Sequence, residues 1–177
     1  MRFGGIVLVV LLTLAACSSD PAPREPASGA SSATPTTTPP TMPAQAKLDS
    51  PEGAAAFVKH YIDVFNYAAA TGDVDELSRL SDPDCEGCQR YITLYRDTYE
   101  AGGYFKGGEW NLSELRMRYR LPQTLATTTV TTDESRYRDT GSSEEKIDPP
   151  DKAKVSFGLS RDDNLWSILQ LGLGAVS

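Results

Sequence analysis

The stretch PEGAAAFVKHYIDVFNYAAATGD, residues 51–73, gives the clearest structural signal in the chain. Its apolar residues recur every three or four positions, which is the spacing of one face of an α-helix. Asp49 or Ser50 can cap the start of this helix, with Pro51 at its first position. Gly72 can end it as the C-terminal cap. The stretch therefore predicts one long amphipathic helix.

Two shorter helices are predicted downstream. Asp73 can cap a short second helix, and the turn SDPD at residues 81–84 separates it from a third helix that ends before Gly102. The third helix carries its apolar and aromatic residues at Cys88, Tyr91, Ile92, Tyr95 and Tyr99.

The period of the pattern changes from residue 110 onward. Apolar and polar residues now alternate, or a β-branched run appears, and both patterns are typical of strands. A hairpin turn is predicted at residues 161–164, and the polar residues 138–152 are predicted as a long loop. The predicted strands are residues 110–121, 124–132, 153–159 and 165–171. In the last strand the expected alternation sets Leu165, Ser167, Leu169 and Leu171 against Trp166, Ile168 and Gln170.

The order of these elements predicts the fold class. Three helices followed by four antiparallel strands indicate an α+β domain over residues 49–177, with the helices packed on one face of the sheet. This order resembles the NTF2-like (SnoaL-like) fold, in which a curved sheet and three N-terminal helices form a cone. The resemblance implies a space between helices and sheet that can hold a ligand.

The N-terminus predicts export and lipidation. Arg2 precedes a nine-residue apolar run, Ile6 to Leu14, which is too short for a transmembrane helix of about 20 residues. The sequence LAAC at residues 14–17 resembles the lipobox of bacterial lipoproteins. That resemblance implies a signal peptide over residues 1–16 and a lipidated Cys17, held at the outer face of the cytoplasmic membrane. The alternative is an ordinary secretory signal that happens to end in cysteine.

The segment after the lipobox is distinguished by its composition. Residues 17–48 are rich in Pro, Ser, Thr and Ala and contain no aromatic residue, so a disordered linker is predicted.

The whole chain has a formal net charge of −7, and such a charge disfavours nucleic acid as a partner. The expected partners are the cell membrane, reached through the N-terminal lipid, and an envelope protein or a small ligand.

Cys85 and Cys88 form a Cys-x-x-Cys motif that permits three interpretations. Outside the cytoplasm, and with Cys17 lipidated, these two cysteines can form a structural disulfide. Residues i and i+3 of a helical turn lie about 5–6 Å apart, which is within disulfide range.

The sequence leaves the other two interpretations open. A redox dithiol at a helix start is the second, although Asp82, Asp84 and Glu86 disfavour a thiolate there. A zinc site is the third, but two cysteines and the distant His60 do not supply four ligands.

Three segments resemble one protein family. The residues 51–73, followed by SDPDCEGC at residues 81–88 and YEAGG at residues 99–103, are similar to an uncharacterised group of actinobacterial lipoproteins, the domain-of-unknown-function family 6318. The similarity is close over the first half of the domain and extends to the strands by pattern alone. It implies an envelope lipoprotein with paired cysteines, and it implies no activity.

Two sets of side chains are candidate sites. Arg116, Arg118 and Arg120 fall on one face of the first strand, where they could bind an anionic ligand or an acidic patch of a partner, or form ordinary cross-strand ion pairs. Core-facing aromatic residues could instead line a ligand pocket. The candidates for that pocket are Tyr61, Phe65, Tyr95 and Tyr99.

The predicted function follows from these features and from the motifs that are lacking. The sequence contains no Ser-His-Asp set and no glycine-rich phosphate loop, and its one histidine, His60, is expected near the protein surface. We therefore expect a non-enzymatic envelope lipoprotein that presents a small interaction or ligand-binding domain, with no cofactor and no metal. The alternative is an extracytoplasmic redox module that uses Cys85 and Cys88.

Overall fold

The computed structural model describes residues 38–174 of the chain. The predicted signal peptide, Cys17 and residues 17–37 of the predicted linker lie outside the described residues. Within the described range, no helix is both long enough and apolar enough to cross a membrane.

Three α-helices form as the sequence predicts. They are α1 (Pro51–Thr71), α2 (Asp75–Arg79) and α3 (Glu86–Glu100). Ser50 caps α1, because its Oγ accepts a hydrogen bond from the Gly53 backbone N–H at 3.0 Å. Gly72 ends the helix in the left-handed conformation, with φ of 77°.

The end of the predicted linker is ordered and belongs to the domain. Residues Ala44–Lys47 form a 3-10 helix, and Ala46 is buried. We call residues 42–49 the N-terminal strap. The Trp166 Nε1–H donates to the Leu48 carbonyl at 3.1 Å, and an Arg161 Nη2–H donates to the Lys47 carbonyl at 3.0 Å. The folded part therefore begins before residue 49.

Eight strands within residues 38–174 form two antiparallel sheets. The main sheet pairs its strands in the order β2-β4-β7-β8, with β3 also paired to β4, and the small sheet has the order β1-β5-β6. The strands of the main sheet are β2 (Asn111–Leu112), β3 (Arg116–Arg118), β4 (Gln123–Thr132), β7 (Asp151–Asp162) and β8 (Leu165–Gly174). Those of the small sheet are β1 (Tyr104–Gly107), β5 (Ser135–Arg138) and β6 (Lys146–Asp148).

The prediction of a single four-stranded sheet is therefore corrected in detail. The long strand predicted over residues 110–121 is two short strands, β2 and β3. The loop predicted over residues 138–152 contains β6 and the start of β7. All three residues of β6 are exposed, so this strand has no alternation of apolar and polar residues that a sequence pattern could detect.

A register shift in the β7–β8 hairpin corrects the predicted alternation of β8. Leu159 pairs with Ile168 and Gly158 pairs with Gln170, so Leu169 is an extra residue on β8. Because one extra residue reverses which face the following side chains occupy, Trp166, Ile168 and Leu171 are all buried.

The turn before α3 is hydrogen-bonded to β8, and the first turn of α3 packs against the same strand. The Asp82 N–H donates to the Ile168 carbonyl at 2.8 Å, and the Ile168 N–H donates to the Leu80 carbonyl at 2.9 Å. Gly87 lies so close to β8 that a Cβ atom there would be 2.1 Å from the Leu171 carbonyl oxygen. The apolar core lies between α1 and the inner face of the main sheet, and these contacts seal one side of it.

Candidate functional site: an aromatic cleft with an acidic rim

A cleft of about 500 Å³ opens where β4 ends and β7 begins. Its volume lies within the range of about 300–1,000 Å³ that is usual for small-molecule sites. We call it the aromatic cleft. Its aromatic lining is Tyr91, Tyr95, Phe105 and Trp110, and its charged lining is Asp133, Asp148 and Asp151.

The aromatic rings pack as one cluster around Phe65. The ring centroid of Phe65, which is almost fully buried, lies 4.4 Å from that of Trp110 and 4.9 Å from that of Tyr91. Tyr91 and Trp110 stand nearly perpendicular, with an interplanar angle of 82°. Edge-to-face pairs of this kind contribute about 0.5–1.5 kcal/mol beyond the burial of area, so the walls are held firmly.

Asn66 fixes the position of Trp110. Its side-chain Nδ2–H donates to the Trp110 carbonyl at 3.1 Å, and its Oδ1 accepts from the Trp110 N–H at 2.9 Å. The helical pattern predicts Asn66 on the solvent side of α1, but it is half-buried against the segment that follows β1. No local sequence signal identifies this role, because the two residues are 44 positions apart.

Tyr91 and Tyr95 are the residues of the cleft lining that carry a hydroxyl group on an aromatic ring. Neither has a hydrogen-bond partner among residues 38–174, and both residues line the aromatic cleft. Burial raises the pKa of Tyr95 well above its usual value of 10.0, and burial also raises the pKa of Tyr91. Both groups therefore remain protonated at neutral pH and can donate a hydrogen bond.

The rim of the cleft is acidic. Asp133, Asp148 and Asp151 are exposed, and none of them forms an ion pair within the described part of the chain. Among residues 38–174, no lysine or arginine lines the cleft. Lys146 lies near enough to interact electrostatically with Asp148, but its ammonium group is bound to Asp139. The rim therefore has a negative local charge.

The four aromatic residues predicted as a pocket do not all line the aromatic cleft. Tyr95 does, and Phe65 lies beneath it in the core. Tyr61 does not, because it is fully buried and its hydroxyl shares a hydrogen bond with the Ser81 hydroxyl at 3.0 Å. Tyr99 does not either, because its hydroxyl donates to the Ala69 carbonyl at 3.0 Å. Helical spacing alone could not separate these four positions.

The three arginines of the predicted interaction surface do not converge on one site. Arg116 and Arg118 are exposed on β3 and alternate with the half-buried Met117, as the pattern predicts. Arg118 lines a second cleft of about 760 Å³, at the start of α3, whereas Arg116 lines a separate hollow. Arg120 is exposed and lines neither.

Cys85 and Cys88 are brought together at the start of α3. Their Sγ atoms are at disulfide distance, 2.06 Å, and each residue is only 1% exposed. No group of three or more His, Cys, Asp or Glu residues in the described range could hold a metal ion. The two cysteines therefore lie buried at the start of α3, and neither lines the aromatic cleft.

His60 is buried, contrary to the expectation of a position near the surface. It is 1% exposed, and its Nε2 has no hydrogen-bond partner among the described residues. It does not line the aromatic cleft. The chain's single imidazole is thus part of the core.

Three helices beside antiparallel sheets form an α+β domain of the NTF2-like kind that the element order predicts, and solved structures of similar fold are known. The intermembrane space region of the chloroplast protein ARC6 is similar at 11% identity, with a TM-score of 0.53, over 73% of this chain and 99% of that one. A protein from Novosphingobium aromaticivorans, provisionally described as a scytalone dehydratase, is similar at 14% identity, with a TM-score of 0.50, over 71% and 85%. An NTF2-like protein from Cytophaga hutchinsonii gives 11% identity and a TM-score of 0.48, over 69% and 98%. At these identities the likeness shows the fold alone.

The sequence comparison gives the family. Residues 24–171 match a family of unknown function, DUF6318, and the chain belongs to it. None of the curated proteins matches the chain significantly in sequence.

Proposed function

We propose that this protein is a membrane-anchored lipoprotein of the cell envelope whose domain binds a small organic molecule in the aromatic cleft and does not transform it. The observation that carries the proposal is the cleft itself. Four aromatic residues line a space of about 500 Å³, and two of them, Tyr91 and Tyr95, have hydroxyl groups with no hydrogen-bond partner within residues 38–174. Binding sites for small molecules typically combine such apolar walls with a few polar groups.

The arrangement of reactive side chains supports binding over catalysis. A general acid or base must lie within hydrogen-bond reach of the reacting group. The chain's one histidine is in the core and does not line the cleft, the carboxylates of the lining are exposed at its rim, and Tyr91 and Tyr95 have pKa values raised by burial. A tyrosine with a raised pKa is a weaker proton donor, which suits a group that only orients a ligand.

The redox alternative has less support. A redox dithiol must exchange with a partner thiol, and such exchange requires an accessible sulfur atom. Cys85 and Cys88 are each 1% exposed. The geometry at the start of α3 is therefore better suited to a structural link.

The experiment that tests ligand binding uses the chain's two tryptophans. The full chain, labelled with ¹⁵N, is placed in unlabelled lipid nanodiscs and titrated with a library of small organic fragments. Trp110 lines the cleft. The Trp166 indole is instead hydrogen-bonded to the Leu48 carbonyl of the strap and does not line the cleft, so its signal serves as an internal control. We expect some fragments to shift the indole signal of Trp110 and not that of Trp166. If no fragment shifts Trp110 selectively, the proposal is overturned.

A further inference from the structure

We infer that the aromatic cleft selects organic cations, in particular ammonium groups with a branched alkyl or aromatic body. This inference rests on the proposed binding function and specifies its ligand class. Two independent features of the cleft, the faces of its aromatic rings and the carboxylates of its rim, favour positive charge.

The walls provide the first feature. The face of an aromatic ring carries negative charge density and attracts a cation within about 6 Å of the ring centroid. Tyr91 and Trp110 are nearly perpendicular, and so are Tyr95 and Phe105, with an interplanar angle of 77°. The rings that line the cleft therefore lie in different planes, and several of them are near enough to one another to contact one small ligand.

The rim provides the second feature. Asp133, Asp148 and Asp151 are exposed at the opening and have no ion-pair partner in the described residues, and no basic side chain lines the cleft. Carboxylates of one sign around a low-dielectric opening concentrate cations there and repel anions.

The second cleft shows that this charge pattern is specific to the aromatic one. The space of about 760 Å³ at the start of α3 is larger, but it is lined by both signs of charge, Asp84 and Glu86 together with Arg90 and Arg118. It also has only one aromatic residue in its lining, Tyr91. It therefore has no comparable preference for a charged ligand.

The test compares three probes that share a shape and differ in charge. Choline, its neutral carbon analogue 3,3-dimethylbutan-1-ol and the anion 3,3-dimethylbutanoate are titrated against the ¹⁵N-labelled full chain in nanodiscs, and the Trp110 indole signal gives each Kd. We expect choline to bind about tenfold more tightly than the neutral analogue, and the anion to bind least.

The outcomes separate this inference from the proposed function. If the alcohol or the anion shifts Trp110 with a Kd equal to or lower than that of choline, cation selection is overturned, while binding in the cleft stands. If none of the three probes shifts Trp110, cation selection is also overturned, and the fragment library decides the proposed function separately.

A pair of substitutions tests the role of the rim. The double variant Asp133→Asn and Asp151→Asn keeps the shape of both side chains and removes their charge, so we expect the preference for choline to fall severalfold. Asp163→Asn is the matched control, because Asp163 is exposed in the turn between β7 and β8 and does not line the cleft. An unchanged preference in the double variant would exclude Asp133 and Asp151 from selection.

Discussion

His60 is the residue whose environment has the clearest energetic consequence. Burial lowers the pKa of its imidazole from 6.5, against the opposing effects of Glu76 and Asp63. The folded state therefore favours the neutral imidazole more than the unfolded state does. Its contribution to stability is complete above pH 6.5 and is lost as the pH falls from there toward the lower pKa of the folded state.

We therefore predict that His60→Leu reduces the sensitivity of the protein to acid. The wild-type protein should lose more of its unfolding free energy between pH 7.5 and pH 5 than the variant does, because only the wild type has an imidazole that binds a proton more readily once unfolded. Denaturant unfolding at both pH values measures this difference. An equal loss in the two proteins would contradict the prediction.

The sequence pattern could not place His60 correctly, and the reason is the surroundings of α1. A one-sided stripe predicts Phe57, Tyr61 and Phe65 in the core, and these are buried. The helix is also covered beyond that stripe, so His60 and Val64 are buried as well. Periodicity shows which face is most apolar and does not show how many neighbours cover the other faces.

Among the elements, the contact between α3 and β8 depends on one glycine. We predict that Gly87→Ala lowers the unfolding free energy by about 1–3 kcal/mol, because the added methyl group would collide with the Leu171 carbonyl and push the helix off the strand. Denaturant midpoints measure the change. Gly174→Ala is the control, because the nearest atom to an added Cβ there is 3.8 Å away. Equal midpoints for the two variants would show that α3 can move without cost.

The elements that the sequence predicts well are those with strong internal patterns. The helix α1 has both caps and its apolar spacing, and β4 ends in the β-branched run TTTVTT at residues 127–132. The strands of the small sheet have no such pattern, since most of their side chains are exposed or half-buried. The bulge at Leu169 is likewise invisible in the sequence, because an extra residue in a strand is defined only by its pairing partner.

The candidate site could be predicted only in part for a related reason. Tyr95 is found by its helical spacing, but Trp110, Asn66 and the acidic rim come from elements far apart in the chain. Their convergence depends on how α1, α3 and the sheet pack. Such long-range contacts are a property of the folded chain and have no local signal.

At the scale of the whole molecule, the proposed lipid anchor gives a direct prediction. Replacing Cys17 with Ser removes the proposed site of acylation, so the variant should leave the membrane fraction. Fractionation of cells that produce either protein measures this. Substitution of Ser18 by Ala is the control, and a Cys17→Ser protein that remains in the membrane fraction would overturn the lipoprotein proposal.

The N-terminal strap has a further consequence for the orientation of the domain. The strap is bonded to Arg161 and Trp166 at the turn end of the β7–β8 hairpin, whereas the aromatic cleft opens at the other end of β7, beside Asp151. A strand of this length places the two ends about 30 Å apart. With the proposed anchor, the tether enters the domain at the end opposite the mouth. On that proposal the tether and the ligand reach the domain at opposite ends of β7.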